Sequence, residues 1–380
     1  MKGSARKSAS ALVVAVAGAS FLALACAGGR PSPFEPAPEA KGVETTLFFI
    51  GDAGAPGPKG EPVLRALTAE AGIGSVVVFL GDNVYPRGVP AERDPTRKLS
   101  ESRLAQQMAV KENGARVLFI PGNHDWAAQG PDGWEAIKRQ EKLVAAAGLE
   151  FLPGGGCPGP VIRDVSRTAR IVALDTQWWL HKGPRPTTQA SGCAPFTEEG
   201  VVTALRKAIE SAEGRKVFVV GHHPMLSGGV HGGHFTFAQH VLPLLEVSRW
   251  LWLPLPFIGS IYPGGRWLGA SVQDISSAKY RHLVSALERA FTPAPPTLYA
   301  SGHDHSLQVL RGTAVRHLLV SGAGTYGDTT PVALLSGTRF ARSEGGFMKL
   351  EVTEAGAVRL SVRVATASGV SREVYSAWLD

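Results

Sequence analysis

Five short stretches gather residue types that bind metal ions. They are "GDAG" with Asp52, "GDNVY" with Asp82 and Tyr85, "PGNHD" with Asn123, His124 and Asp125, "GHHP" with His222 and His223, and "SGHDH" with His303 and His305. One such stretch is weak evidence, because any loop can hold an aspartate. Five in succession are hard to explain by solubility. Carboxylates and imidazoles converging on one edge are costly unless something positive compensates them, and a metal centre is the natural compensation. Asp52, Asp82, Tyr85, Asn123, His222, His303 and His305 are more ligands than one ion needs. One shared carboxylate completes two sets of four. His303 and His305 are two apart, so on an extended strand end they lie on one face and can each reach a different ion of a close pair. Such a pair suits holding a phosphate and activating a water for in-line attack.

Each stretch follows directly on an apolar run: "TLFFI" (46–50), "VVVFL" (76–80), "RVLFI" (116–120), "KVFVV" (216–220) and "PTLYA" (296–300), with "RIVALD" (170–175) as a sixth run. The runs are continuous rather than alternating, as in strands buried on both faces. "EPVLRALTAEAG" and "TEEGVVTALRKAIESAEG" between them read as helices closed by glycine. This order predicts an α/β fold with helices flanking a sheet and the polar residues at the strand ends, where open α/β sheets place their sites. After residue 312, "VRHLLVSG", "GFMKLEVT" and "VRLSVRVAT" follow without a clear helix, so the end is strand-rich.

The motif set resembles the calcineurin-like metallophosphoesterases and, within them, the small purple acid phosphatases. The family pattern D-x-G, G-D-x-x-Y, G-N-H-[DE], V-x-x-H and G-H-x-H is met in order by "DAG", "GDNVY", "GNHD", "VVGH" and "GHDH". The resemblance implies two packed mixed sheets with helices outside, a four-layer αββα sandwich in one domain from about residue 43 to 380. It implies Asp52, Tyr85 and His305 on a first ion, Asn123, His222 and His303 on a second, and Asp82 as the bridge. His124 matches a histidine that contacts the substrate phosphate. His231, nine residues after His222, matches one that assists substrate binding and leaving-group protonation, with His234 as its rival. The implied reaction is phosphomonoester hydrolysis. Alternatives are phosphodiester or nucleotide hydrolysis on the same metals, or a surface-anchored metal or redox protein that does not hydrolyse. Most metallophosphoesterases have D-x-H in the first motif; here Gly54 stands in that place, and Tyr85 supplies the missing ligand.

The donor chemistry agrees with these assignments. Two carboxylates, a phenolate and one imidazole form a hard, anion-rich set suited to Fe(III). Two imidazoles, an amide and the shared carboxylate suit a divalent ion, Fe, Zn or Mn. Ligand charge of about −3 against about +5 from the metals leaves a surplus that attracts a phosphate dianion and lowers the pKa of a bound water. Asp125 is expected to orient His124. Asp304 and His223 flank ligands without being expected to bind, and Asp175 and Gln177 are read as structural, as are His181, His240, His282 and His317.

The chain has 380 residues, 44% hydrophobic and 19% charged, ample for a large core. Lys2, Arg6 and Lys7 precede the apolar "ALVVAVAGASFLALA" (11–25), which reads as an export signal too short for a comfortable membrane span. "ALAC" resembles a bacterial lipobox with Cys26 as the lipidated residue, which places the chain on the periplasmic or outer surface. A plain cleaved signal (1–25) and a retained anchor are the alternatives. Removal of the signal lowers the formal charge from +7 to +4, and no basic run suggests nucleic acid as a partner. A Pro-rich tether follows at 26–42. Cys157 and Cys193, both in Gly/Pro loops, are expected to form a disulfide in an exported protein, free thiols being the alternative. The segment "WLWLPLPFIGSIYPGGRWLG" (250–269), within a loop insertion of about 241–280, is very apolar but carries Pro254, Pro256 and Pro263, so a spanning helix is not expected. A buried loop, a lid over a pocket and a membrane-touching patch stay open.

Overall fold

A computed structural model describes residues 35–57, 60–242, 244, 252–255 and 258–379. The export segment and Cys26 lie outside the described residues. Two seven-stranded mixed sheets carry the fold. The strands are β1 (Val43–Ile50), β2 (Ser75–Phe79), β3 (Arg116–Phe119), β4 (Glu150–Phe151), β5 (Val161–Asp164), β6 (Ala169–Ala173), β7 (Lys216–Val220), β8 (Leu298–Ser301), β9 (Leu307–Arg311), β10 (His317–Ser321), β11 (Thr338–Arg342), β12 (Gly346–Thr353), β13 (Val358–Ala365) and β14 (Ser371–Leu379). The first sheet runs β14-β13-β12-β1-β2-β3-β4 and the second β11-β9-β10-β8-β7-β6-β5. Strands β1 to β4 are parallel to one another, as are β6, β7, β8 and β10. The strand-rich end of the chain supplies antiparallel edges to both sheets.

Alternation along each strand explains why the apolar runs are continuous. Leu47 and Phe49 of β1, with Val76 and Val78 of β2, face Phe218, Val220, Leu298 and Leu319 of the other sheet. Phe48, Ile50, Val77 and Phe79 face outward, where helices cover them. The covering helices on the first sheet are α1 (Pro62–Glu70), α2 (Arg97–Met108) and α3 (Gly133–Ala146). On the second sheet, the short α4 (Gln177–Leu180), α5 (Glu198–Glu210) and, later in the chain, Ala278–Phe291 bury Val201, Leu205, Leu283 and Leu287 against Val217, Val219 and Tyr299. Helix, sheet, sheet, helix is the four-layer sandwich that the resemblance implied.

Helix starts follow their capping residues. Thr197 accepts a hydrogen bond from Gly200 N at the start of α5, and Pro62 opens α1 behind Glu61, whose carboxylate accepts from Val63 N. The glycines expected to close these helices do not. Ala71, in extended conformation, ends α1, and Ser211 ends α5 three residues before Gly214. The main chain turns extended at Ala71, whereas α5 runs out into a turn at residues 211–214. Residues at the end of the proposed tether lie on the first sheet: Ala37 N donates to Ser376 Oγ, and Arg359 donates to Ala37 O and Pro38 O. Cys157 and Cys193 are disulfide-bonded. Among the described residues no helix is long and apolar enough to cross a membrane.

In the 241–280 region, α6 (Phe237–Val241), a 3-10 turn at Ile258–Ser260 and α7 (Ile261–Trp267) precede α8 (Ala278–Phe291). Leu255 N donates to Val241 O and Gly259 N to Leu255 O, which joins α6 to the turn before α7.

Candidate metal centre

The parallel strands of both sheets end at one place. Gly51 N, just past β1, donates to Ser321 O at the end of β10, and Gly302 N, past β8, donates to His222 O, past β7. The five motifs therefore meet where the two sheets join. Asp52, Asp82 and His303 sit there with φ of 59°, 55° and 73°. A non-glycine residue in the left-handed region is uncommon and costs about 1–3 kcal/mol. Side-chain acceptors hold the strained turns: His303 N donates to Asp52 Oδ2 at 2.8 Å, and His124 N to Asp82 Oδ1 at 2.8 Å. The strain aims the carboxylates inward before any ligand arrives.

Tyr85 Oη is the centre of the first cluster. It lies 3.0 Å from Asp52 Oδ1, 3.1 Å from Asp82 Oδ2 and 3.0 Å from His305 Nε2. Burial raises the Tyr85 phenol well above its usual pKa, and Asp52 and Asp82 raise it further. One phenolic proton serves only one of these acceptors, so the group that fits all four donor atoms is a cation. The second cluster centres on Asn123 Oδ1, which lies 3.0 Å from His222 Nε2 and 3.0 Å from His303 Nδ1. Asp82 Oδ2 reaches both clusters, standing 3.4 Å from His222 Nε2. Both aspartates are at most 2% exposed. Burial opposes charge on His222, yet Asp82 outweighs it and lifts the imidazole to about 9. The same attraction from His222 and His124 depresses Asp82 against the effect of its own burial. All seven candidate ligands are thus brought together, in the two groups expected, around a shared Asp82.

Gly54 shows why the first motif lacks histidine. A Cβ there would stand 2.4 Å from Asn83 C and 2.5 Å from Val84 N, and Tyr85 N donates to Gly54 O at 3.1 Å. The loop that carries Tyr85 lies flush on position 54, so a side chain at 54 and the tyrosine exclude each other. Gly122 is packed as closely, with a Cβ position 2.2 Å from Asp82 Oδ1.

His124 and His231 line one cavity of about 570 Å³ with Asp82, Asn123, His303 and His305. His124 Nδ1 bonds Pro86 O at 2.6 Å, and its Nε2 is 3.9 Å from Asp82 Oδ2. The His231 ring stacks 3.9 Å from that of His303. His234 is absent from the cavity lining, so the geometry favours His231. Asp125 does not hold the His124 ring, contrary to the sequence expectation. Its carboxylate accepts from Asn83 N, Val84 N and Gly122 N, and so braces two motif loops. Burial, with Asp82 nearby, raises it to about 6.

His223 forms a close group with His222 and His303. Its ring nitrogens already meet Thr176 Oγ1 and Gln273 Oε1, each at 2.8 Å, so Asn123 fits the second cluster better. Asp304 accepts from His231 N at 3.1 Å. Three residues escape the motif reading. Asp328 Oδ2 lies 3.5 Å from His305 Nδ1, and with Asp52 it raises that imidazole well above its usual range against the effect of burial. Gln273 O meets both His303 Nε2 and His231 Nδ1. Asp274 holds His231 Nδ1 at 2.9 Å and pairs with Arg266. They sit in irregular loops, and nothing in their neighbouring sequence marks them.

Residues 45–252, more than half the chain, match the calcineurin-like phosphoesterase family. The chain is 23% identical over 290 residues to purple acid phosphatase 4 of Arabidopsis thaliana, covering 73% of this chain and 67% of that one. Purple acid phosphatase 17 of the same plant is 23% identical over 295 residues, covering 74% and 69%. Among solved structures, GAP50, described as the anchor in the inner membrane complex of Plasmodium, superposes with a TM-score of 0.52 at 16% identity over 89% of each chain. Purple acid phosphatase PPD1 from seeds of yellow lupin (Lupinus luteus) gives 0.50 at 13% identity over 88% of this chain and 53% of that one. These two structural likenesses show a shared fold. Together with the family match, the motifs and their convergence make this chain a member of the calcineurin-like phosphoesterase family, a metallophosphoesterase hydrolase with similarity to purple acid phosphatases.

Proposed function

We propose that the protein is an exported phosphatase that hydrolyses phosphomonoesters at a pair of metal ions. Asp52, Tyr85 and His305 would hold Fe(III), and Asn123, His222 and His303 a divalent Fe, Zn or Mn, with Asp82 between them. The observation that carries this reading is Tyr85 Oη at about hydrogen-bond distance from Asp52, Asp82 and His305 at once. When bound, the ions supply Lewis acidity and a water of lowered pKa. The rest falls to the chain. Asp52 and Asp82 would hold the cations, while the His222 and His303 rings are locked by Leu80 O and Gln273 O. His124 and His231, on the cavity wall, would meet the phosphoryl oxygens and the leaving-group oxygen as charge develops there.

Phosphodiester or nucleotide hydrolysis would use the same groups. A second reading is a surface-anchored metal-binding protein without hydrolysis. The complete donor set together with His124 and His231 weighs against it. Turnover of a generic aryl phosphate by metal-loaded protein separates the two. Release of phosphate with saturation kinetics is expected; a fully loaded protein that releases none overturns the phosphomonoesterase reading.

A further inference from the structure

Residues of α7, in the later part of the apolar segment 250–269, line this cavity. Ile261, Tyr262, Gly265 and Arg266 of α7, with Ala270 and Ser271, form the wall facing the histidines and carboxylates. The charged group on that wall is already paired, and the Tyr262 and Ser271 hydroxyls each accept a bond from the protein. Arg266 donates to both oxygens of buried Asp274 and to Tyr262 Oη. Ser271 Oγ accepts from Gln273 N, and the Gln273 amide is held by His223 and Gln177. What the wall offers a ligand is the Ile261 side chain, the Tyr262 ring, Ala270 and the open face of Gly265, whose Cβ position meets nothing within 4 Å. Ile261 is 71% and Tyr262 58% exposed, so neither is held by the core. Trp252, Trp267 and Leu268 of the same segment are also exposed, at 70%, 65% and 77%. Large apolar side chains grouped on a surface mark a binding site more often than chance.

Resting on the phosphomonoesterase reading above, we propose that the natural substrate is a phosphate monoester whose alcohol part is apolar, an alkyl or aryl phosphate, with Ile261 and Tyr262 determining that specificity. The phosphate belongs at the metal clusters and the organic group lies along α7. A sugar would set several hydroxyls against a wall that offers mainly Ile261, the Tyr262 ring, Ala270 and Gly265, and would lose hydration with few replacement bonds. The apolar ester can come from solution or from a bilayer, since the same chemistry serves both.

The test measures kcat/KM of metal-loaded protein on ethyl, butyl, hexyl and octyl phosphate kept below micelle-forming concentrations. Glycerol 3-phosphate and glucose 6-phosphate are the hydrophilic comparators. A second arm uses phosphatidylcholine vesicles carrying phosphatidic acid. Each added methylene should raise kcat/KM about two- to fourfold if the source is dissolved ester. If it is a bilayer, vesicle-borne phosphatidic acid should exceed glycerol 3-phosphate by at least about tenfold. Ile261→Ser and Tyr262→Ser, surface changes that leave the core intact, should each cut the octyl-to-ethyl ratio about fivefold. A flat series in both arms overturns the specificity while leaving the phosphatase reading in place. Failure to hydrolyse any of these esters overturns both.

Discussion

Asp328 illustrates how much of this site lies outside its motifs. Its carboxylate faces the back of the His305 ring and is itself held below the usual range by that imidazole. A carboxylate behind a metal-binding imidazole fixes the ring and raises its donor strength. Asp328→Asn should therefore weaken metal binding about 10- to 100-fold with little change in folding, measured by competition with a chelator. Unchanged affinity would remove Asp328 from the site. The seven proposed ligands and His124 were legible because each sits in a short stretch directly after an apolar run, so sequence neighbours announce them. Asp328, Gln273 and Asp274 were not, because loops without periodicity bring them to the site and only tertiary contact gives them partners. Asp125 was misread for the same reason: adjacency to His124 suggested a partner, but its bonds run to the backbone of another motif loop.

The strand ends carry the next level of the account. Gly54→Ala drives a methyl group into the backbone of residues 82–84. Overpacking of this kind costs about 1–3 kcal/mol, and here it also moves Tyr85. Urea unfolding should show the loss, and bound metal should fall with it; a variant as stable and as metal-rich as the parent would contradict the close packing. At the end of β6, Asp175 accepts from Trp126 Nε1 and Trp178 N in a buried place. Burial outweighs those donors and lifts its pKa to about 8. The folded state therefore binds a proton that the unfolded chain gives up near pH 4. The resulting stability is full below pH 4 and is lost as pH rises through about 8, a change on the order of a few kcal/mol. Unfolding free energies at pH 5 and pH 8 should diverge more for the parent than for Asp175→Asn; parallel behaviour would refute the buried proton. The strands were legible from continuous apolar runs. Their division between two sheets was not read from the residues, since runs buried on both faces look alike whichever sheet they join. That division came from the family resemblance.

For the whole molecule, the proposed function combines export, a tether and a metal site. The apolar stretch 11–25 and Cys26 support a lipid anchor. Cys26→Ser should move the protein from the membrane to the soluble fraction, and membrane association that survives the change would end the anchor proposal. The two sheets pack face to face with their strand ends along one edge, which carries every proposed ligand, and the central claim is that this edge holds trivalent iron through Tyr85. The most direct measurement is the visible absorption spectrum of the purified protein, taken with its metal content and repeated on Tyr85→Phe. The account predicts a coloured protein containing iron, with a tyrosinate-to-iron band that Tyr85→Phe loses while its circular dichroism stays that of the parent. A colourless protein loaded with two zinc or two manganese ions, or a band that persists in Tyr85→Phe, would contradict it.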